Sequence, residues 1–290
     1  MEAFDYVAPR TLAEAYSHLG NARRAAALAG GTDLIVQLRE ARRACDLVVD
    51  LKHIPELMAI TIAGDGSLQV GAAAPLAGVY ENPEVRRRWP ALIDAATIIG
   101  GTAVQGRATL GGNLCNASPA ADSPPALMVL GARLRIGSAA GARELPVEEF
   151  FAGPGQNVLG PGELLLQVLV PPMPARSGAF YHRFIPRNEM DIAVASAGAW
   201  LQLGPGETIE AARIAIGAVA PTPLMVPEAA QALVGSPAGP QTFARAAEAA
   251  AQAARPITDM RGSAAQRRHL VGVLTRRALE NALQRATEAR

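Results

Sequence analysis

The 290-residue sequence has only two cysteines, Cys45 and Cys115. Isolated thiols cannot complete a four-cysteine zinc or iron–sulfur site, and in a chain of this size they signal no disulfide framework. His18, His53, His182 and His269 are scattered, with no metal-ligand spacing among them. Aromatic residues make up 4% of the chain, so a core must come mostly from Ala, Val, Leu and Ile; a hydrophobic fraction of 50% makes a sizeable one feasible. Neither sign of charge is in excess, and a formal net charge of +1 leaves no electrostatic footprint for nucleic acid or an anionic membrane. The clusters Arg86-Arg87-Arg88, Arg267-Arg268 and Arg276-Arg277 read as solvated helix faces. No apolar run is long enough to span a bilayer, and the opening MEAFDYVAPR lacks the regions of a signal peptide. The expectation is a cytoplasmic protein without membrane insertion. Also missing are a Ser-His-Asp set and any paired carboxylates that demand a catalytic reading.

What is present begins with a helix signature. Thr11 and Glu14 form a capping box and Gly20 supplies a stop. RAAALAGGTDLIVQLRE then reads as a buried strand, a glycine turn and a helix starting near Asp33, and CDLVVDL as another strand. MAITIAGDGSLQVGAAA reads as two strands joined at Asp65-Gly66, a hairpin signal. From Glu84 to Ile99 the pattern is helical, with Pro90 starting a second helix. ARLRIGS and ELLLQVLVP are strand-like, and Pro171–Gly178, with three prolines and a glycine, is the best linker. Beyond it AFYHRFIP, IAVASAGAWLQL and IEAARIAIGAVA read as three strands, the last two joined by GPGET. Alanine-rich helices follow from Pro227, from Gln241 to Ala254 and from Ser263 to Ala286. Strands followed by helices, rather than strict alternation, predict a separate α+β domain.

Two strand–glycine–helix turns carry the chemistry: LAGGTDL (Leu28–Leu34) and TLGGNL (Thr109–Leu114). A glycine turn exposes backbone N–H groups, and a helix start adds positive partial charge, so such a turn can hold a pyrophosphate without a lysine. Neither fits the dinucleotide or Walker fingerprint, and Pro75 interrupts GAAAPLAG (Gly71–Gly78). Singly, each pair also reads as an ordinary tight turn. Together, one loop can hold phosphates while the other admits a flat ring and offers Asn113 to its polar edge. Asp122 is either an acceptor for sugar or ribityl hydroxyls or a helix cap before Pro124-Pro125. Cys115 reads as a small packing residue.

LAGGTDLIVQLR, TLGGNLCNASPAADSPPALMVLGA, ELLLQVLVP and YHRFIPRNEMDIAVASAGA occur in the order found in the FAD-binding medium subunits of molybdenum hydroxylases. The chain resembles this xanthine dehydrogenase and carbon monoxide dehydrogenase family, and IEAARIAIGAVAPTPLMVPEAAQAL resembles its C-terminal flavoprotein domain. The resemblance implies an α+β chain. A PCMH-type FAD-binding domain over 1–176, with subdomains of about 1–57 and 58–176, precedes a C-terminal domain over 177–290 with a three-stranded antiparallel sheet and helices. It implies that Ala27, Leu28, Ala29, Gly30, Gly31, Thr32, Asp33 and Leu34 form the pyrophosphate loop. Ile99 to Gly101 would line the cofactor before the second loop, with Ile99 standing where some members have an aromatic. Thr109, Leu110, Gly111, Gly112 and Asn113 would hold the flavin, its isoalloxazine ring against Gly111 and Gly112. Asn116 and Asp122 would contact the ribityl–phosphate tail, Leu165 would pack on the ring, and Arg183 falls near a family lysine that contacts the cofactor.

The same resemblance implies partners. A large subunit with a molybdenum–pterin cofactor would hydroxylate substrate, and a small subunit with two [2Fe–2S] clusters would pass electrons to this flavin. The flavin would give them to an external small-molecule or protein acceptor, in an assembly of two three-subunit units. Arg183, Arg187 and Asp191 also read as a structural ion-pair group. Two further functions stay open on the residues alone: a self-sufficient FAD oxidoreductase acting on a small organic substrate, and a non-catalytic nucleotide-binding module.

Overall fold

The computed structural model describes residues 2–187 and 190–288; Asn188 and Glu189 of the YHRFIPRNEM motif lie outside the described residues. The chain opens with β1 (Asp5–Val7), α1 (Leu12–Asn21), β2 (Ala25–Leu28), α2 (Leu34–Arg39), β3 (Leu47–Asp50) and α3 (Pro55–Met58). The strands form a three-stranded parallel sheet in the order β1-β3-β2. Thr11 caps α1 by accepting from the Glu14 N–H at 3.2 Å. The Glu14 carboxylate accepts from the N–H of Arg10 instead of Thr11, so the capping box is only half closed.

Next come β4 (Ile60–Ile62), β5 (Leu68–Gly71), α4 (Leu76–Glu81), α5 (Pro83–Arg88), α6 (Pro90–Ala96), α7 (Thr102–Gln105), α8 (Leu110–Asn116) and α9 (Ser123–Val129). They are followed by β6 (Arg133–Ser138), β7 (Gly141–Pro146), β8 (Phe151–Gly153), β9 (Gln156–Asn157) and β10 (Leu164–Val170). A five-stranded antiparallel sheet runs β4-β5-β10-β6-β7, while β8 and β9 pair separately. The β4–β5 hairpin turns at Asp65-Gly66: Gly66 adopts φ +85°, and the Asp65 carboxylate accepts the Ser67 N–H at 2.9 Å. Pro90 starts a new helix, as its fixed φ and missing N–H favour. The largest core lies here, with Trp89, Leu92, Leu110, Leu127 and Phe150 fully buried.

The last part holds β11 (Ser177–Phe184), β12 (Ala195–Leu203), β13 (Ile209–Gly217), β14 (Leu224–Met225), α10 (Pro227–Gln231), α11 (Pro240–Ala253) and α12 (Ala264–Glu288). The sheet is antiparallel in the order β11-β12-β13-β14, so a two-residue edge strand joins the three expected ones. Gly178, read as part of a linker, belongs to β11. A β-carbon there would run into the Ala282 carbonyl and the Ala286 nitrogen, so the missing side chain lets α12 lie close on the sheet. Arg267 is not on a solvated face. It is 4% exposed, pairs with Asp259 at 2.7 Å and donates to the carbonyls of Val194 and Ala218.

Candidate functional site

In open parallel sheets, ligands bind beyond the carboxyl ends of the strands, where loops diverge. The first glycine loop leaves that end of β2. Leu28 and Leu34 are buried and pack with Leu38 and Val48, anchoring the loop at both ends, whereas Ala27 and Asp33 are exposed. Gly31 turns the chain at φ +78°. The Gly30 Cα lies so close to the Arg107 carbonyl and the Ala108 Cα that a β-carbon has no room. Among the described residues, no acceptor receives the backbone N–H groups of Gly30, Gly31, Thr32, Asp33 or Leu34. Backbone donors are ordinarily paired, and a concave run of free ones is a ready anion cradle. Asp33 makes no side-chain cap bond that would compete for them.

The second loop differs from the expected turn. Gly111 and Gly112 lie inside α8, and Thr109 precedes them as its N-cap, accepting the Gly112 N–H at 2.8 Å. No strand leads into it, only a single bridge between Thr109 and Pro75. At Gly111 the close neighbour is the protein itself: a β-carbon would overlap the backbone and side chain of Ala72. The β-carbon side of Gly111 is therefore filled by the protein, because the buried face of α8 packs on the strand end beside it. Gly112 is freer, with only its own cap hydroxyl near the β-carbon position, at 3.0 Å.

The two loops meet. Besides the Gly30 contact with residues 107–108, Gln37 of α2 donates to the Asn116 carboxamide oxygen of α8 at 3.1 Å. Asn113 accepts the Ser123 hydroxyl at 2.6 Å, so α8 is tied to the start of α9. Leu110 is fully buried beneath, and Leu165 of β10 is 3% exposed in the same core. Ile99 is half-buried against that core, and Gly101 sits under the thioether of Met190, whose sulfur would be 3.2 Å from a β-carbon there.

Asp122 is neither a helix cap nor an open acceptor. It stands at the N-cap position of α9 without a cap bond. Its carboxylate instead takes the Tyr181 hydroxyl and an Arg183 guanidinium N–H, each at 2.6 Å, and is 6% exposed. Burial pushes the Asp122 carboxyl up to about 6, against the pull of Arg183 and of the Tyr181 hydrogen bond. Arg183 is thus brought to Asp122, while an exposed Arg187 and a largely covered Asp191 side chain pair with each other at 3.1 Å. Desolvation pushes the Cys115 thiol up to about 12, which keeps it protonated and in a packing role.

Several residues around the site escaped the sequence reading. Lys52 donates to the Ala29 carbonyl at 3.1 Å, and Asp50 and Tyr6 stand behind it. Asp50 ends β3, beside β2 in the parallel sheet, so the carboxyl-end rule could have singled it out. Arg107 and Tyr181 carry no comparable local signal.

The family profile described as "FAD binding domain in molybdopterin dehydrogenase" matches residues 2–173, and "CO dehydrogenase flavoprotein C-terminal domain" matches 180–282. The chain is 34% identical to the xanthine dehydrogenase FAD-binding subunit of Escherichia coli O157:H7, over 95% of this chain and 94% of that one. It is 30% identical to the carbon monoxide dehydrogenase medium chain of Afipia carboxidovorans, over 98% of both. Among solved structures, a chain of the carbon monoxide dehydrogenase from Hydrogenophaga pseudoflava that lacks the Mo-pyranopterin moiety superposes with a TM-score of 0.94. It shares 30% identity, with 98% of each chain covered.

Proposed function

Because the chain belongs to the FAD-binding medium subunits of the molybdenum hydroxylases, the xanthine and carbon monoxide dehydrogenase family, we propose that it relays electrons from a partner's iron–sulfur clusters to an external acceptor. Residues 1–176 would hold the FAD and residues 177–290 cover it. The observation that carries the site is the run of unpaired N–H groups from Gly30 to Leu34. Its chemistry fits a diphosphate: hydrogen bonds from free backbone N–H groups to a charged oxygen are the strong kind.

Bound there, FAD supplies the redox chemistry; the chain binds it, orients it and excludes water. Gly30 seats the phosphate loop on residues 107–108, which sets the spacing between that loop and α8. Thr109, Leu110, Gly111, Gly112 and Asn113 would bear on the flavin, Asn116 on its tail. The pairing of Asp122 with Tyr181 and Arg183 makes these residues supports of the segment. Substrate oxidation would occur on a large molybdenum–pterin subunit and cluster transfer on a small [2Fe–2S] subunit. This division suits a chain with two cysteines.

The purified chain should bind one FAD non-covalently, released as yellow supernatant on acid precipitation, with neither iron nor molybdenum by metal analysis. Flavin that stays with the precipitate, or stoichiometric iron in the chain, would overturn the assignment.

A further inference from the structure

The Lys52 ammonium donates to the Ala29 carbonyl at 3.1 Å and to Asp50 Oδ1 at 2.5 Å. Asp50 is itself held: the Tyr6 hydroxyl donates to its Oδ2 at 2.6 Å and the Lys52 backbone N–H to its Oδ1 at 3.1 Å. Asp50 is 4% exposed. Burial alone would raise its pKa, but the bonds from Lys52 and Tyr6 outweigh burial and hold the carboxyl below its ordinary value. Lys52 is therefore anchored before it reaches the loop.

The peptide it grips joins Ala29 to Gly30. In a trans peptide the carbonyl and the following N–H point in opposite directions, so fixing the Ala29 oxygen toward Lys52 aims the Gly30 N–H away from it. Glycine backbones are free to turn this plane over, and Gly30 is followed by Gly31. On its other side Gly30 lies against the Arg107 carbonyl, with no room for a β-carbon. The Ala29–Gly30 peptide is thus held by Lys52 on one side and flanked by residues 107–108 on the other.

Resting on the cofactor-site reading above, we propose that Lys52, held by Asp50 and Tyr6, is a positioning residue for binding of the FAD diphosphate. It acts by locking the Ala29–Gly30 peptide, and the flavin ring lies beyond its influence. A residue with a merely structural role would weaken every flavin ligand alike; Lys52 should affect only those with a diphosphate.

The test uses the full-length apo chain and measures dissociation constants for FAD and for riboflavin by flavin fluorescence. Lys52→Met leaves Asp50 buried without its partner, so the double variant D50N/K52M is measured beside it. Both variants should bind FAD about tenfold more weakly, while riboflavin affinity stays at the wild-type value; Lys52→Arg should recover part of the loss. Unchanged FAD affinity in the double variant, or equal losses for FAD and riboflavin, would overturn the proposal. Wild-type protein that binds FAD no more tightly than riboflavin would overturn the diphosphate cradle itself, and the proposal with it.

Discussion

A glycine can be demanded by a ligand or by the protein's own backbone, and Gly111 is of the second kind. Its missing β-carbon accommodates Ala72, whereas Gly112 meets only the hydroxyl of its own N-cap. Forcing a methyl into a packed position typically costs about 1–3 kcal/mol. Gly111→Ala should therefore lower the melting temperature of the apo protein clearly, and Gly112→Ala should leave it near wild type. Equal melting of both apo variants would contradict this assignment. The distinction was illegible in TLGGNL because Ala72 lies far away in sequence. The cap itself was local, and Thr109 stands where a capping residue is favoured, just before the helix.

Among the elements, the placement of α9 depends on β11. Tyr181 and Arg183 occupy alternate positions on one face of that strand, and both reach Asp122 at the start of the helix. Burial raises the folded-state pKa of Asp122 to about 6, above its ordinary value. The folded state then binds this proton more tightly, so the contribution of Asp122 to stability is fully present below about pH 4. It is lost as pH rises through about 6. A shift of this size is worth on the order of 2–3 kcal/mol. Urea unfolding of wild type and Asp122→Asn should show wild type losing stability relative to the variant between pH 4 and 7. Parallel pH profiles, or a wild type that gains over that range, would contradict the raised pKa.

Elements with local chemical signals were legible: the Asp65-Gly66 hairpin, the helix break at Pro90 and the three long strands before the alanine-rich helices. Those that exist only through pairing were not. β7 is mostly exposed with no alternation to betray it, and β1 and β14 are three and two residues long. The same limit hid the long-range partners of Asp122, whose residue type invited a capping or ligand reading.

At the scale of the molecule, charged side chains join the C-terminal sheet and its helices to the central core. Arg285 of α12 grips Asp94 of α6 at 2.7 and 2.9 Å, and also donates to the Ala179 carbonyl of β11. Arg213 of β13 lies 4.0 Å over the Trp200 ring and donates to the Val129 carbonyl at the end of α9, where a cation suits the helix dipole. These bonds support the segment proposed to hold FAD, while the residues that would oxidise substrate lie on other subunits in the proposed scheme. Relay of electrons through this chain is the central claim, and anaerobic bleaching of its flavin tests it most directly. Substrate of the assembled complex should bleach the flavin in the presence of the molybdenum and iron–sulfur subunits and leave the isolated, dithionite-reducible subunit yellow. Equally fast bleaching of the lone subunit, or a flavin that stays oxidised while the cluster signals respond to substrate, would contradict the relay.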